Sequence, residues 1–178
     1  MSPADLTGKK TLILGEVKVG KTLLLKRIVK EFLEAGGEHC ALVDLAPELT
    51  RGIGGKMNLL WHPRLTVYSP RIVAPRLTGR DQEEVAQLAE ANGRACDRVF
   101  GEYLDDPRPC LFINDASLYL QAREVSGLAS LLEASPTVVA NGYFGRALGG
   151  GGFGDNERQR MQEFMALCDR VINLPMVS

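Results

Sequence analysis

Residues 11–22 read TLILGEVKVGKT, and residues 23–35 continue LLLKRIVKEFLEA. The first run is short and apolar. The second repeats apolar residues at helical spacing, through Leu24, Leu25, Ile28, Val29, Phe32 and Leu33, and Gly36-Gly37 stops it. Between them lies Gly15-x-x-x-x-Gly20-Lys21-Thr22. Glycines at those points let the backbone curl until successive N–H groups aim at one centre. The helix that begins near Gly20 adds the partial positive charge of its N-terminus. Such a ring suits a chain of phosphates. Gly15, Glu16, Val17, Lys18, Val19, Gly20, Lys21, Thr22 and Leu23 are expected to surround them. Lys21 would reach the β- and γ-phosphates, and the Thr22 hydroxyl would ligate Mg²⁺.

The same alternation runs along the rest of the chain. Apolar runs fall at 11–14, 40–44, 65–69, 110–114, 137–141 and 170–174. Each is nearly continuous rather than alternating, as strands are when both faces of a parallel sheet are covered. Helical patterns occupy 21–35, 82–104, 121–134 and 156–168. In the second, Val85, Leu88, Asn92, Ala95, Val99 and Tyr103 form the expected inner stripe, and Asp81 with Glu84 resembles a capping box. Right-handed crossovers then give a three-layer α/β/α sandwich with a mostly parallel sheet of five or six strands. Ligands in such folds bind beyond the carboxyl ends of the strands.

With 178 residues and no long linker, the chain is expected to form a single domain, with a basic Pro- and Arg-containing insertion at about 49–80. A formal net charge of -1 gives no global attraction to nucleic acid or an acidic membrane. The first residues lack the apolar core of a signal peptide, and no stretch nears the ~18 apolar residues of a membrane span. The expected place is the cytoplasm. Cys40, Cys96, Cys110 and Cys168 have no metal-ligand spacing and read as reduced thiols.

Gly15–Thr22, set between strand and helix, resembles the phosphate loop of the P-loop NTPase superfamily. The run CLFIND, 110–115, looks like its Walker B strand, and the resemblance implies that Asp115 holds the magnesium, with Asn114 beside it. Ala116 follows, so the glutamate frequent there in the AAA and helicase type is absent. CALVDLAPELTRGIGG, 40–55, is distantly similar to the second strand and first switch of the partitioning and septum-site (SIMIBI-type) ATPases. Asp44 and Pro47 match. Ala46 stands where that group has its water-positioning aspartate, and Glu16 stands where it has its signature lysine. At 141–144, Asn141 fits a guanine-reading motif but Gly142 and Phe144 do not, so ATP is expected over GTP. Asn141 is expected to bond a base edge.

From Leu49 to Arg80 no acid occurs, while Arg51, Lys56, Arg64, Arg71, Arg76 and Arg80 supply six positive charges. Two readings stand: solvated arginines paired with acids of the 82–104 helix, or cations offered to an anionic second substrate or to γ-phosphate charge. For the latter, Arg51 comes first. Only Trp61 and Tyr68 accompany these cations, so a nucleic-acid surface is not expected. Gly149 to Gly152 and Gly154 suggest a loop, before a helix beginning with Asp155 and Glu157, that closes over the base or is a plain surface connection.

The leading expectation is an Mg-dependent nucleotide switch or slow NTPase. Lys21 positions the phosphates, Asp115 and Thr22 the metal, Asp44 the attacking water, and a protein partner or second subunit completes the site. The alternatives are a small-molecule or nucleotide kinase, with Asp44 or Glu48 near the acceptor hydroxyl, and a non-catalytic nucleotide sensor. The sensor would recruit partners through MNLLWHP, 57–63, with Trp61 as anchor.

Overall fold

The computed structural model describes residues 2–49, 52, 55–145 and 152–175. Among them, six strands make one all-parallel sheet: β1 (Lys10–Gly15), β2 (Cys40–Asp44), β3 (Leu65–Tyr68), β4 (Cys110–Asn114), β5 (Thr137–Tyr143) and β6 (Arg170–Asn173). Their order is β3-β2-β4-β5-β1-β6. All six expected runs are strands, and the α/β sandwich with a parallel sheet is as the apolar runs imply. Every residue of β2 and β4 is buried, which is why neither alternates in sequence.

The two faces separate cleanly. On one, α2 (Lys21–Glu34) sets Leu25, Ile28, Val29 and Leu33 against Ile13, Leu42, Phe112 and Val139. On the other, Leu12, Leu14, Val43, Leu111, Ile113, Val138 and Ala140 meet a layer that includes α4 (Gln82–Asp105), α6 (Ser126–Ala134) and α7 (Gly152–Ala166). Neighbours along a strand point to opposite faces, so one apolar strand feeds both cores. The short helices are α1 (Pro3–Leu6), α3 (Pro75–Thr78) and α5 (Ser117–Leu120).

Three helical expectations shift. The 121–134 pattern shortens to α6, which starts at Ser126, and the one-turn α5 before it lies outside the expected range. α7 begins at Gly152, within the glycine run; the first N–H groups of a helix need no partner in the helix, so glycine is tolerated there. Gly149 to Gly151 lie outside the described residues. In α4 the expected Asn92, Ala95, Val99 and Tyr103 are buried, joined by Ala89, Cys96 and Phe100, while Val85 and Leu88 are half-buried. Gly93 has its own reason: a Cβ there would meet the Arg123 guanidinium at 2.8 Å, and Arg123 bonds Glu90 and Asp97 across that point. The Asp81 carboxylate accepts the Glu84 N–H, while the Glu84 carboxylate turns to the Arg80 N–H, so only half of the expected box forms.

The basic segment does not stand apart from the sheet. β3 extends one edge, and α3 packs on α4. Asn92, polar in the middle of a buried stripe, explains that packing. It donates to Val73 O (2.9 Å) and accepts from Val73 N (3.1 Å), clasping the irregular segment that leads into α3. Asn92→Leu keeps the volume and removes both bonds. It should destabilise the fold by about 1–3 kcal/mol in urea denaturation, with α3 losing amide-exchange protection first.

Candidate functional site

The strand ends and the start of α2 converge on a cavity of about 310 Å³, within the size range of ligand sites. Its wall includes Val17, Lys18, Gly20, Lys21, Thr22 and Leu23 from the glycine loop and α2. The loop curls as its composition implies. Gly15, Lys18 and Gly20 have φ of +154°, +64° and +90°. A Cβ on Gly15 would meet Leu174 O and Val19 Cγ2, both at 2.9 Å, so this glycine is needed for space as well as for conformation. Gly20 is the N-cap of α2 with no side chain to cap the first turn, and that turn carries no acid. The helix therefore leaves its N-terminal N–H groups and positive pole for whatever enters.

Lys21 folds back across the loop, donating from Nζ to Gly15 O (3.0 Å) and Glu16 O (2.5 Å). Burial lowers its pKa, while Asp115 and Glu16 work against that. The Glu16 carboxylate lies against the backbone of Gly145, where a Cβ would collide with it, and is not part of the cavity wall. Its acid is thus kept off the space above the loop.

A chain of amides ties the strand ends below. Asp44 and Asn114 are register partners on β2 and β4, and Asn114 Nδ2 donates to Asp44 Oδ1 at 2.8 Å. Asn114 Oδ1 accepts from Asn141 Nδ2 at 3.0 Å and from the Thr22 hydroxyl at 3.4 Å. Asn141 Oδ1 accepts the Asp115 N–H at 2.7 Å. Asp115 has φ +62°, a left-handed turn that aspartate tolerates, and it lines the cavity. Burial raises its pKa, offset by the Ser117 hydroxyl, which donates to Oδ1 at 2.5 Å, and by Lys21.

Several sequence expectations change here. Thr22 faces Asn114 rather than Asp115, since β4 ends on Asn114 and the turn at the next residue carries Asp115 into the cavity. Asp44 is expected to orient water. Its carboxylate is buried, accepts N–H groups from Met57 (2.6 Å) and Ala46 (3.3 Å) besides Asn114, and is not in the cavity wall. Ala46 and Met57, on either side of the loop that follows β2, cover it. Asn141 lines the cavity, but its amide is spent on Asn114 and Asp115, because β5 lies between β4 and β1 and ends under the phosphate loop. Arg51 lies outside the described residues. Of the other cations in its segment, Arg76 reaches the cavity, Lys56 bonds Asp44 O and Pro70 O, Arg64 bonds Leu33 O and Gly37 O, and Arg80 pairs with Glu84.

No protein-family model matches the chain, and no curated protein matches it. Among solved structures it resembles the flagellar accessory protein FlaH from Methanocaldococcus jannaschii, with a TM-score of 0.53 at 11% identity over 94% of this chain and 71% of that one. The likeness is one of fold, a parallel sheet between helical layers. Gly15–Thr22 spans the turn from β1 into α2.

Sequence reasoning missed other parts of the cavity wall: Ser117, Gln121 and the Arg76–Glu157 ion pair. Tyr143, expected with Phe144 as a residue that packs on a base beside Asn141, lines the cavity too. Glu157 gave a signal only as a helix N-terminal acid, and Arg76 only as one of six cations. Burial pushes Glu157 up to about 7, against the pull of Arg76 and Gln121, with Asp115 adding repulsion. A folded-state value above the ordinary 4.5 makes the charged form the costly one. The contribution of neutral Glu157 is therefore complete below pH 4.5 and is lost as pH rises through about 7. Across that interval the wild-type protein should lose about 3 kcal/mol more than Glu157→Gln. Urea midpoints at pH 4.5 and 7.5 measure it, and parallel profiles would contradict the assignment.

Among the described residues no helix is long and apolar enough to cross a membrane, and no group of three His, Cys, Asp or Glu side chains gathers as a metal cluster. All four cysteines are free, three of them buried.

Proposed function

We propose that the chain binds a nucleoside triphosphate, ATP in preference to GTP, at the glycine loop with Mg²⁺, and hydrolyses it slowly as a nucleotide switch. The observation that carries this is the uncapped start of α2, set behind a loop with three positive φ angles and a half-buried lysine whose Nζ donates to the main-chain carbonyls of Gly15 and Glu16. Two main-chain carbonyls are modest partners for an ammonium group. A polyphosphate is a far stronger one, and turning Lys21 toward it needs only side-chain rotation.

The residues present suit a magnesium ion. Thr22 offers a hydroxyl held by one long 3.4 Å contact, and Asp115 offers a carboxylate in the same cavity. Bound there, the ion would be held by Thr22 and Asp115 and would offset phosphate charge. The chain's own part is positioning. The loop N–H groups and the pole of α2 hold the phosphates, Lys21 neutralises them, and Asp115 is set by Ser117 and Asn141. Asp44 acts one step removed, fixing Asn114 and the chain at Met57. The likeness of residues 40–55 to partitioning and septum-site ATPases supports a switch, and the four free thiols support a cytoplasmic setting.

A second reading, a nucleotide sensor that recruits a protein partner, is favoured by Leu60 and Trp61, which are 91% and 85% exposed in the segment after β2. The two readings share the binding step and part at turnover.

Lys21→Ala should abolish thermal stabilisation by Mg·ATP while leaving the melting temperature without nucleotide within about 2–4 °C of wild type, the shift expected for 1 kcal/mol in a domain of this size. Retention of the ATP shift would overturn the site. Labelled γ-phosphate released to water supports the switch, transfer to an added small molecule supports a kinase, and binding without either supports the sensor.

A further inference from the structure

Arg76 and Glu157 form an ion pair inside the nucleotide cavity, 2.5 Å between Nη2 and Oε2, with side chains only 14% and 5% exposed. Arg76 stands on α3, which the Asn92 clasp fixes to α4. Glu157 stands in the first turns of α7. Beside them Gln121, 8% exposed, also lines the cavity. It lies close enough to Glu157 to hold that acid's pKa down, while its own Oε1 is buried without a hydrogen-bond partner among the described residues.

Building on the nucleotide reading above, we propose that Arg76 tells a triphosphate from a diphosphate by exchanging Glu157 for the terminal phosphate. An arginine fork fits phosphate oxygens as well as a carboxylate, and the phosphate carries more charge. A diphosphate ends one group short and leaves the pair intact. The exchange also accounts for the unpartnered acceptor. Once Arg76 turns away, Glu157 is a buried acid without its cation, a costly state that a proton relieves. The groups around it are Arg76 from α3, Asp115 at the end of β4 and Gln121 just after α5; Lys18 and Lys21 reach the same cavity from the loop. On its own helix, Arg158 is turned to Phe144 and Gly145, and Arg160 to Leu120 and Glu124. The existing upward displacement of Glu157 makes the proton easy to gain near neutral pH. Neutral Glu157 then has an O–H to donate, and Gln121 Oε1 is there to accept it. The proton comes from solvent and no bond between heavy atoms changes.

Calorimetry of the full chain with Mg²⁺ tests this, using ADP and the β,γ-imido analogue of ATP in two buffers of different ionisation enthalpy at pH 7.5. Arg76→Gln should weaken the triphosphate analogue by about 10–100-fold and leave ADP unchanged. Wild type should take up more protons with the analogue than with ADP, and Glu157→Gln should remove that difference. The double variant Arg76→Gln/Glu157→Gln leaves no lone buried charge, so it guards against a folding defect. It should show the same loss of triphosphate preference. Equal weakening of both nucleotides, an unchanged ratio, or excess proton uptake that survives Glu157→Gln would overturn the exchange. If wild type binds neither nucleotide, the nucleotide reading itself falls and the exchange with it, a result visible before any variant is made.

Discussion

The side-chain amide of Asn114 is pulled three ways, and the cavity keeps its shape because of it. Its nitrogen holds Asp44 on β2; its oxygen takes Asn141 from β5 and the hydroxyl of Thr22 from α2. Parallel strands present all their carboxyl ends at one edge, where ladder bonding runs out and polar groups must find other partners. An amide can donate and accept at once, which a carboxylate in the same place cannot. With Asn114 in the middle, the ends of three elements from distant parts of the chain are fixed by hydrogen bonds in a buried setting, where each bond counts for more.

The glycine loop depends on that floor. A backbone with three positive φ angles is not self-supporting, and its N–H groups are useful only if they stay aimed. Val19 and Leu174 crowd Gly15 from two sides, and Thr22 is tethered below. The positive pole of α2 is left bare by design of the sequence: glycine at the cap and no acid in the first turn. Most helices blunt that pole with a serine or aspartate. Here blunting would remove the attraction on which the proposed phosphate binding rests.

How much of this the sequence discloses follows from the range of each interaction. Strands buried on both faces leave continuous apolar runs, so β1 to β6 were legible to within a residue or two. The loop was legible because glycine is needed at Gly15 and Gly20 for local reasons. The choice between Asn114 and Asp115 was not, since adjacent residues exchange faces at a left-handed turn that no local pattern announces. Asp44 reads as a reactive acid, but the Ala46 and Met57 N–H groups occupy its carboxylate, and Met57 is thirteen positions away. The Arg76–Glu157 pair joins residues 81 positions apart, and Gln121 has no sequence mark at all. Asn92 falls on the helix stripe in the sequence, yet its partner is main chain, which sequence hides.

The chain's single tryptophan is Trp61, and it is nine-tenths in water beside Leu60 rather than in either core. Its emission will therefore be nearly as red in the folded protein as in the unfolded one. Intrinsic fluorescence excited at the indole band will be a poor gauge of unfolding and a good gauge of anything that settles onto the loop before β3. A blue shift in that signal would mark the arrival of a partner, while the tyrosines buried against the sheet, Tyr103 and Tyr119, report on the fold itself.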